Sequence, residues 1–117
     1  MPASVLIVDD HAGFRLSARR ILEGDGYVVV GEAEDGRSAI AASRRLRPDI
    51  VLLEVNLPDL DGFEVARELT AEPGAPAIVL TSSHDREDFG DSVPSSSAAG
   101  FVAKDELSGA AVAALVA

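Results

Sequence analysis

The sequence predicts a doubly wound α/β domain, a five-stranded parallel sheet with helices on both faces. Two observations carry this. Short runs that are apolar without interruption recur along the chain, the pattern of strands buried on both faces rather than one. Between them lie segments whose apolar residues repeat at helical spacing, joined by short connections that imply right-handed crossovers. At 117 residues the chain makes one domain, with no internal repeat or linker, and buries roughly two-thirds of its unfolded surface.

The elements follow in order. Val5 to Val8 is the first strand. Phe14, Ala18, Ile21 and Leu22 fall on one face of a helix that stops around Gly24–Gly26. Tyr27 to Gly31 is the second strand, and Ala39, Ala42 and Leu46 line a second helix ended by Pro48. Ile50 to Glu54 is the third strand; Gly62, Val65, Ala66 and Leu69 form the inner face of a third helix, closed by Pro73-Gly74. Ala77 to Leu80 and Gly100 to Ala103 are strands four and five, and Leu107, Ala111, Ala114 and Leu115 mark a last helix running to the chain end. The segment from Asp85 to Ala99 should hold the fourth helix. It contains Gly90, Pro94 and three serines, and a proline inside a helix costs about 3 kcal/mol, so a short or broken helix is expected.

Net charge is −10 and the pI about 4.4, which disfavours direct contact with nucleic acid or anionic membrane. The absence of cysteine excludes disulfides and thiolate metal sites and suits a reducing cytosol. No signal peptide is visible, and the longest apolar stretch, Ala110 to Ala117, has eight residues against the ~20 that span a bilayer. A cytoplasmic protein without membrane contact is expected.

In an open α/β sheet, ligands sit beyond the carboxyl ends of the strands. Strand one ends in Asp9-Asp10-His11, strand three in Glu54, strand four in Thr81, and strand five, after Phe101, in Lys104. Three carboxylates, a hydroxyl and an ammonium at one crevice suit a divalent cation such as Mg2+ beside an anionic group. Each residue also has a plainer reading. Asp9-Asp10 can cap a helix, Thr81 can be a turn residue with Ser82 as its rival, Lys104 a solvated charge and Phe101 core packing. His11 reads as an exposed loop residue, and Asp61 as the N-cap of helix three with Asp59 in the turn before it. Specificity lies in the joint pattern, all four strand-end groups in order after the expected apolar runs.

These stretches resemble a response-regulator receiver domain, the CheY-like family, over essentially the whole chain. V-L-I-V-D-D-H is similar to the family's acidic-pair strand, L-P-D-L-D-G to the loop after the phosphoacceptor, L-T-S-S to the hydroxyl position and G-F-V-A-K to the switch aromatic and lysine. The D-D-H start, V-V-G-E-A-E-D-G and K-D at 104–105 resemble the subfamily bearing LuxR-type helix-turn-helix output domains. The resemblance implies a flavodoxin-like sheet of order 2-1-3-4-5 and a non-enzymatic module of two-component phosphorelay signalling and transcription regulation. It implies Mg2+ on Asp9, Asp10, the residue at 54 and the backbone carbonyl of Asn56. It further implies phosphoryl contacts from Thr81 and Lys104, and a switch made of Thr81 and Phe101. The implied partners are a sensor histidine kinase, a second copy in a homodimer, and DNA only through an output domain that these 117 residues do not contain.

The sequence departs from the family at Pro94 and the serines within the output helix, and at position 54, where the phosphoacceptor aspartate is a glutamate. Glu54 implies a non-phosphorylatable or phosphomimetic form, natural or introduced. Two other readings remain open: a Mg2+-dependent phosphatase-like enzyme on a similar sheet, and a phosphorylation-independent pseudo-receiver interaction module. The enzyme would need a D-x-D after strand one, where Asp9 and Asp10 are adjacent; the D-x-D of Asp59-Leu60-Asp61 sits in a loop.

Overall fold

A computed structural model describes residues 2–84 and 86–116. Strands β1 (Ser4–Val8), β2 (Val28–Ala33), β3 (Ile50–Glu54), β4 (Ala77–Ser82) and β5 (Gly100–Ala103) form one parallel sheet in the order β2-β1-β3-β4-β5. This is the flavodoxin-like order expected. Around it lie α1 (Ala12–Gly24), α2 (Gly36–Leu46), α3 (Gly62–Thr70), α4 (Ser92–Ser95) and α5 (Gly109–Val116). Ala117, the end of the expected last helix, and Asp85, the head of the segment expected to hold the fourth, lie outside the described residues.

The uninterrupted apolar runs now have their cause, because alternate residues of each inner strand point into two separate cores. Leu6, Val8, Val51, Leu53 and Leu80 pack with Ala39, Ile40, Val65 and Leu69 under α2 and α3. Val5, Ile7, Ile50, Leu52 and Val79 pack with Ala18, Leu22 and Val112 under α1 and α5. All five residues of β3, in the middle of the sheet, are buried, Glu54 included.

Several boundaries differ from the sequence reading. β2 begins at Val28 and runs on to Ala33, and β4 continues through Thr81 and Ser82. The backbone ladder continues past the apolar run through Glu32 in β2 and through the buried Thr81 and Ser82 in β4, because strand pairing is made by backbone groups whatever the side chain. The last helix starts at Gly109, after a 3-10 turn over Lys104–Glu106.

β2 is an outer strand with Val28 and Val30 exposed. Its register with β1 slips by one residue, from Val5↔Val29 to Leu6↔Gly31. Gly31 stands at the slip, and a Cβ there would meet Leu46 Cδ1 at 2.8 Å. Glu32 of the same strand receives Arg15 Nε and Arg19 Nη2, each at 3.0 Å.

The loop after β3 is tied down by its own acids. Asp61 caps α3, accepting from the Phe63 N–H at 2.7 Å, as its position predicts. Asp59 reaches across to the start of α2 and accepts from the N–H groups of Gly36 at 2.7 Å and Arg37 at 3.0 Å. The Gly36 N–H foremost holds the Asp59 carboxyl below its usual range; burial opposes this, and the Arg37 and Leu60 N–H groups add to it. The D-x-D pair thus serves two helix N-termini.

The fourth helix is broken, as Gly90 and Pro94 imply. A 3-10 turn over Arg86–Phe89 passes through Gly90, at φ +55°, into a single turn, Ser92–Ser95, whose one buried residue is Val93. Pro94 falls within that first turn, where its missing N–H removes no helical hydrogen bond. Ser96 Oγ donates to the Val93 carbonyl at 2.6 Å and ends the turn. With few apolar anchors and one helical turn, residues 86–95 should exchange their amide hydrogens faster than α1 and α3. Native-state hydrogen exchange checks this, and equal protection would show that packing overrides the local signals.

Candidate functional site

Strand register brings the strand-end groups abreast. Val8 pairs with Leu53, so Asp9 and Glu54 each stand one residue further on, and Glu54 pairs directly with Thr81. Ser82 pairs with Ala103, which leaves Lys104 as the first residue beyond β5. The Asp9 N–H still donates to the Ala33 carbonyl at 3.0 Å, fixing the acid at the sheet edge.

Asp9 is fully buried and Glu54 nearly so. Two carboxylates cannot share such a place without a cation, and Lys104 supplies it. Its Nζ lies 2.6 Å from Asp9 Oδ2 and 2.8 Å from Glu54 Oε1. The other Glu54 oxygen, Oε2, accepts the Asn56 N–H at 3.0 Å. Burial draws the Lys104 ammonium down, but the hydrogen bonds and charges of Asp9 and Glu54 outweigh it, and the amine sits above its usual 10.5.

Thr81 is buried beside Glu54, yet its Oγ1 has no hydrogen-bond partner among the described residues. The Glu54 carboxylate turns its two oxygens to Lys104 and to the Asn56 N–H rather than to Thr81. Asp9 and Asp10 do not cap α1 through its N-cap residue, which is His11 and makes no side-chain cap bond. His11 is exposed, as expected, but not idle. Its Nδ1 lies 3.1 Å from Asp9 Oδ1 and 3.2 Å from Asp10 Oδ1, and its N–H donates to Asp9 Oδ1 at 2.8 Å.

Among the described residues, one group of three has ligand atoms within 4.8 Å of one another, Asp9, Asp10 and His11. Glu54 is not in it. The carboxylate oxygens of Asp9 and Asp10 fit a hard cation in kind. Glu54 has the right chemistry too, but its oxygens are turned to Lys104 and the Asn56 N–H.

Residues the sequence reading did not assign to the site also shape it. Phe14, assigned there to the core face of the first helix, lies with its ring under Lys104, 4.5 Å from Nζ to the centroid. Arg15 Nη1 donates to the Asp9 carbonyl. Gly62 donates to the Val55 carbonyl at 2.7 Å, and a Cβ there would run into the Glu54 carbonyl oxygen and Val55 Cα. Phe101, half-buried, lies 5.7 Å from the Phe89 ring, which is 6.0 Å from Phe63. That chain joins β5 to α3 through the 3-10 turn.

The response regulator receiver domain profile matches residues 5–115. The chain belongs to the response regulator receiver domain family. This receiver domain is 37% identical over 87 residues to the transcriptional regulatory protein PdtaR of Mycobacterium tuberculosis, covering 74% of this chain and 42% of that protein. It is 42% identical over 108 residues to protein-glutamate methylesterase/protein-glutamine glutaminase 6 of Anaeromyxobacter dehalogenans, covering 92% of this chain and 31% of that one. In structure it resembles a LuxR-family two-component response regulator from Aurantimonas sp. SI85-9A1, with TM-score 0.86 and 33% identity over 98% of this chain and 86% of that one. The chain therefore spans half or less of the curated relatives' length, from 31% to 50% among the first four. It is the receiver domain of a two-component response regulator, a family that binds Mg2+ at its phosphorylation site and generally receives phosphoryl groups from sensor histidine kinases. No helix among the described residues is long and apolar enough to cross a membrane.

Lys104→Met should leave Asp9 and Glu54 buried without their counter-charge, at a cost of about 3 kcal/mol read from urea unfolding at neutral pH. Because the Lys104 amine is raised in the folded state, its contribution is fully present below its usual 10.5 and lost as pH climbs through the higher folded value. The native domain should lose stability over that alkaline window, and the Met variant should lack that component.

Proposed function

We propose that Glu54 occupies the phosphoacceptor position of this receiver domain and holds it in a form that takes no phosphoryl group and is partly switched on. The observation that carries the reading is the 2.8 Å contact between Glu54 Oε1 and Lys104 Nζ. In the phosphorylated state of an ordinary receiver, the ammonium would meet a phosphoryl oxygen; here the longer side chain brings a carboxylate oxygen to it.

The roles follow from placement. Asp9 and Asp10 hold Mg2+, with the Asn56 carbonyl as a further oxygen donor; the cation, when bound, neutralises charge on the transferring phosphoryl group. Lys104 and Thr81 face the phosphoryl oxygens, and Thr81 and Phe101 transmit their state to the face around α4, β5 and α5. Glutamate moves the acceptor oxygen by about one C–C bond, ~1.5 Å. Misplacement of a reacting atom by about 1 Å costs on the order of 100-fold in rate. As a mimic Glu54 is incomplete, with one charge and two oxygens against roughly two charges and three oxygens. The unpartnered Thr81 hydroxyl supports this, since it is the contact a third oxygen would satisfy.

The whole protein is read as a cytoplasmic transcriptional regulator, with a sensor histidine kinase upstream and DNA reached through a separate output domain. The receiver itself turns over no substrate.

The native chain incubated with acetyl phosphate and Mg2+ should gain no mass, whereas Glu54→Asp should gain about 80 Da, the mass of an added phosphoryl group, labile to hydroxylamine. An unmodified Asp variant beside a modified native chain would overturn the acceptor assignment. Mg2+ affinity should be weak in the native chain and disappear in Asp10→Ala; identical titrations would remove Asp10 from the site.

A further inference from the structure

The geometry points to Phe14 as the positioning residue that fixes the Lys104 ammonium between Asp9 and Glu54, an inference that rests on the reading of the site given above. An ammonium has three N–H donors. Two carboxylates lie at 2.6 and 2.8 Å from Nζ, and the Phe14 ring centroid lies at 4.5 Å, inside the ~6 Å reach of a cation–π contact.

Two features make the ring more than a bystander. Phe14 is half-buried and packed against the core formed by Ala18, Leu22 and β1, so it is held in place by α1 rather than resting on the lysine. The buried Thr81 hydroxyl has no partner among the described residues, so Lys104 is not held by the polar group expected to share its ligand. A lysine stem has four flexible carbons, and the ring adds a third contact, of a different kind, to the two acids. Packing alone would be served by any apolar side chain of similar size. Attraction to a cation needs the aromatic face.

The ring therefore sets how strongly Lys104 competes with a divalent cation for Asp9, and where the ammonium stands to meet a phosphoryl oxygen. It also links α1 directly to the residue that follows β5.

Phe14→Leu and Phe14→Met remove the ring at similar bulk, and Phe14→Tyr keeps it; two ring-free variants guard against one failing to fold. In nuclear magnetic resonance spectra, the Lys104 Cε protons of the native chain should carry an upfield ring shift that Tyr retains and Leu and Met lose. Mg2+ should bind about 3- to 10-fold tighter to the ring-free variants, with Tyr close to native. In the Glu54→Asp chain, loss of the ring should lower the maximal rate of phosphorylation by acetyl phosphate and leave its KM little changed. Unshifted Lys104 protons in the native chain, or equal Mg2+ affinity across the set, would overturn the proposal and leave Phe14 a packing residue. Should the Glu54→Asp chain accept no phosphoryl group, the acceptor assignment fails by itself, and the Lys104 signal and the Mg2+ titration still decide the role of Phe14.

Discussion

The site depends on one ammonium between two buried carboxylates. Asp9 and Glu54 arrive at the same sheet edge because β1 and β3 are neighbours in register, and neither is exposed enough for water to screen it. A pair of like charges in that setting needs a cation within hydrogen-bond reach. Lys104 comes from beyond β5, on the far side of β4, and its long stem lets it span that distance. The lysine therefore ties the outer strand of one side to the middle of the sheet. Half-buried Phe101 stands three residues before Lys104, on the strand whose end the lysine ties down.

The scaffold makes this arrangement affordable. β3 is apolar on both faces and sandwiched between two cores, so it is a rigid base from which one polar side chain emerges. The loop that follows is fastened at three points, by Asp59 to the start of α2, by Asp61 to α3, and by Gly62 against the Glu54 and Val55 backbone. By contrast the region after β4 is secured by one helical turn and an aromatic chain, Phe63, Phe89 and Phe101. Rigidity is placed under the chemistry, and looseness beside it.

Much of this was legible in the sequence because strands that face two cores announce themselves. Ile50–Glu54 and Gly100–Ala103 stand out as apolar runs between polar or turn residues, and their bounds survive unchanged in the structure. The convergence of Asp9, Glu54 and Lys104 follows from topology once each is seen to end a strand. Other features depend on tertiary contacts that spacing does not encode. Periodicity places Phe14 on the inner face of α1 but cannot tell a ring in the core from a ring under an ammonium. Asp59 looks like a turn acid until α2, more than twenty residues earlier, is seen to present its N–H groups to it. The idle Thr81 hydroxyl is a matter of which oxygen points where, and β2 and β4 outrun their apolar runs because hydrogen-bonded ladders ignore side-chain polarity.

The outer strand β2 carries a consequence for solubility during synthesis and storage. An exposed strand edge with valines on it is a template for pairing with another chain, the first step of aggregation. Val28 and Val30 present such a surface. Two devices blunt it: the register slip at Gly31, which breaks the regular ladder, and Glu32, clamped by Arg15 and Arg19, which sets a charged cluster on the same strand. The arginines of α1 thus act as gatekeepers for the edge of the sheet, and one of them, Arg15, also donates to the Asp9 carbonyl. Protection from misassembly and shaping of the site share a side chain, so the two traits cannot drift independently.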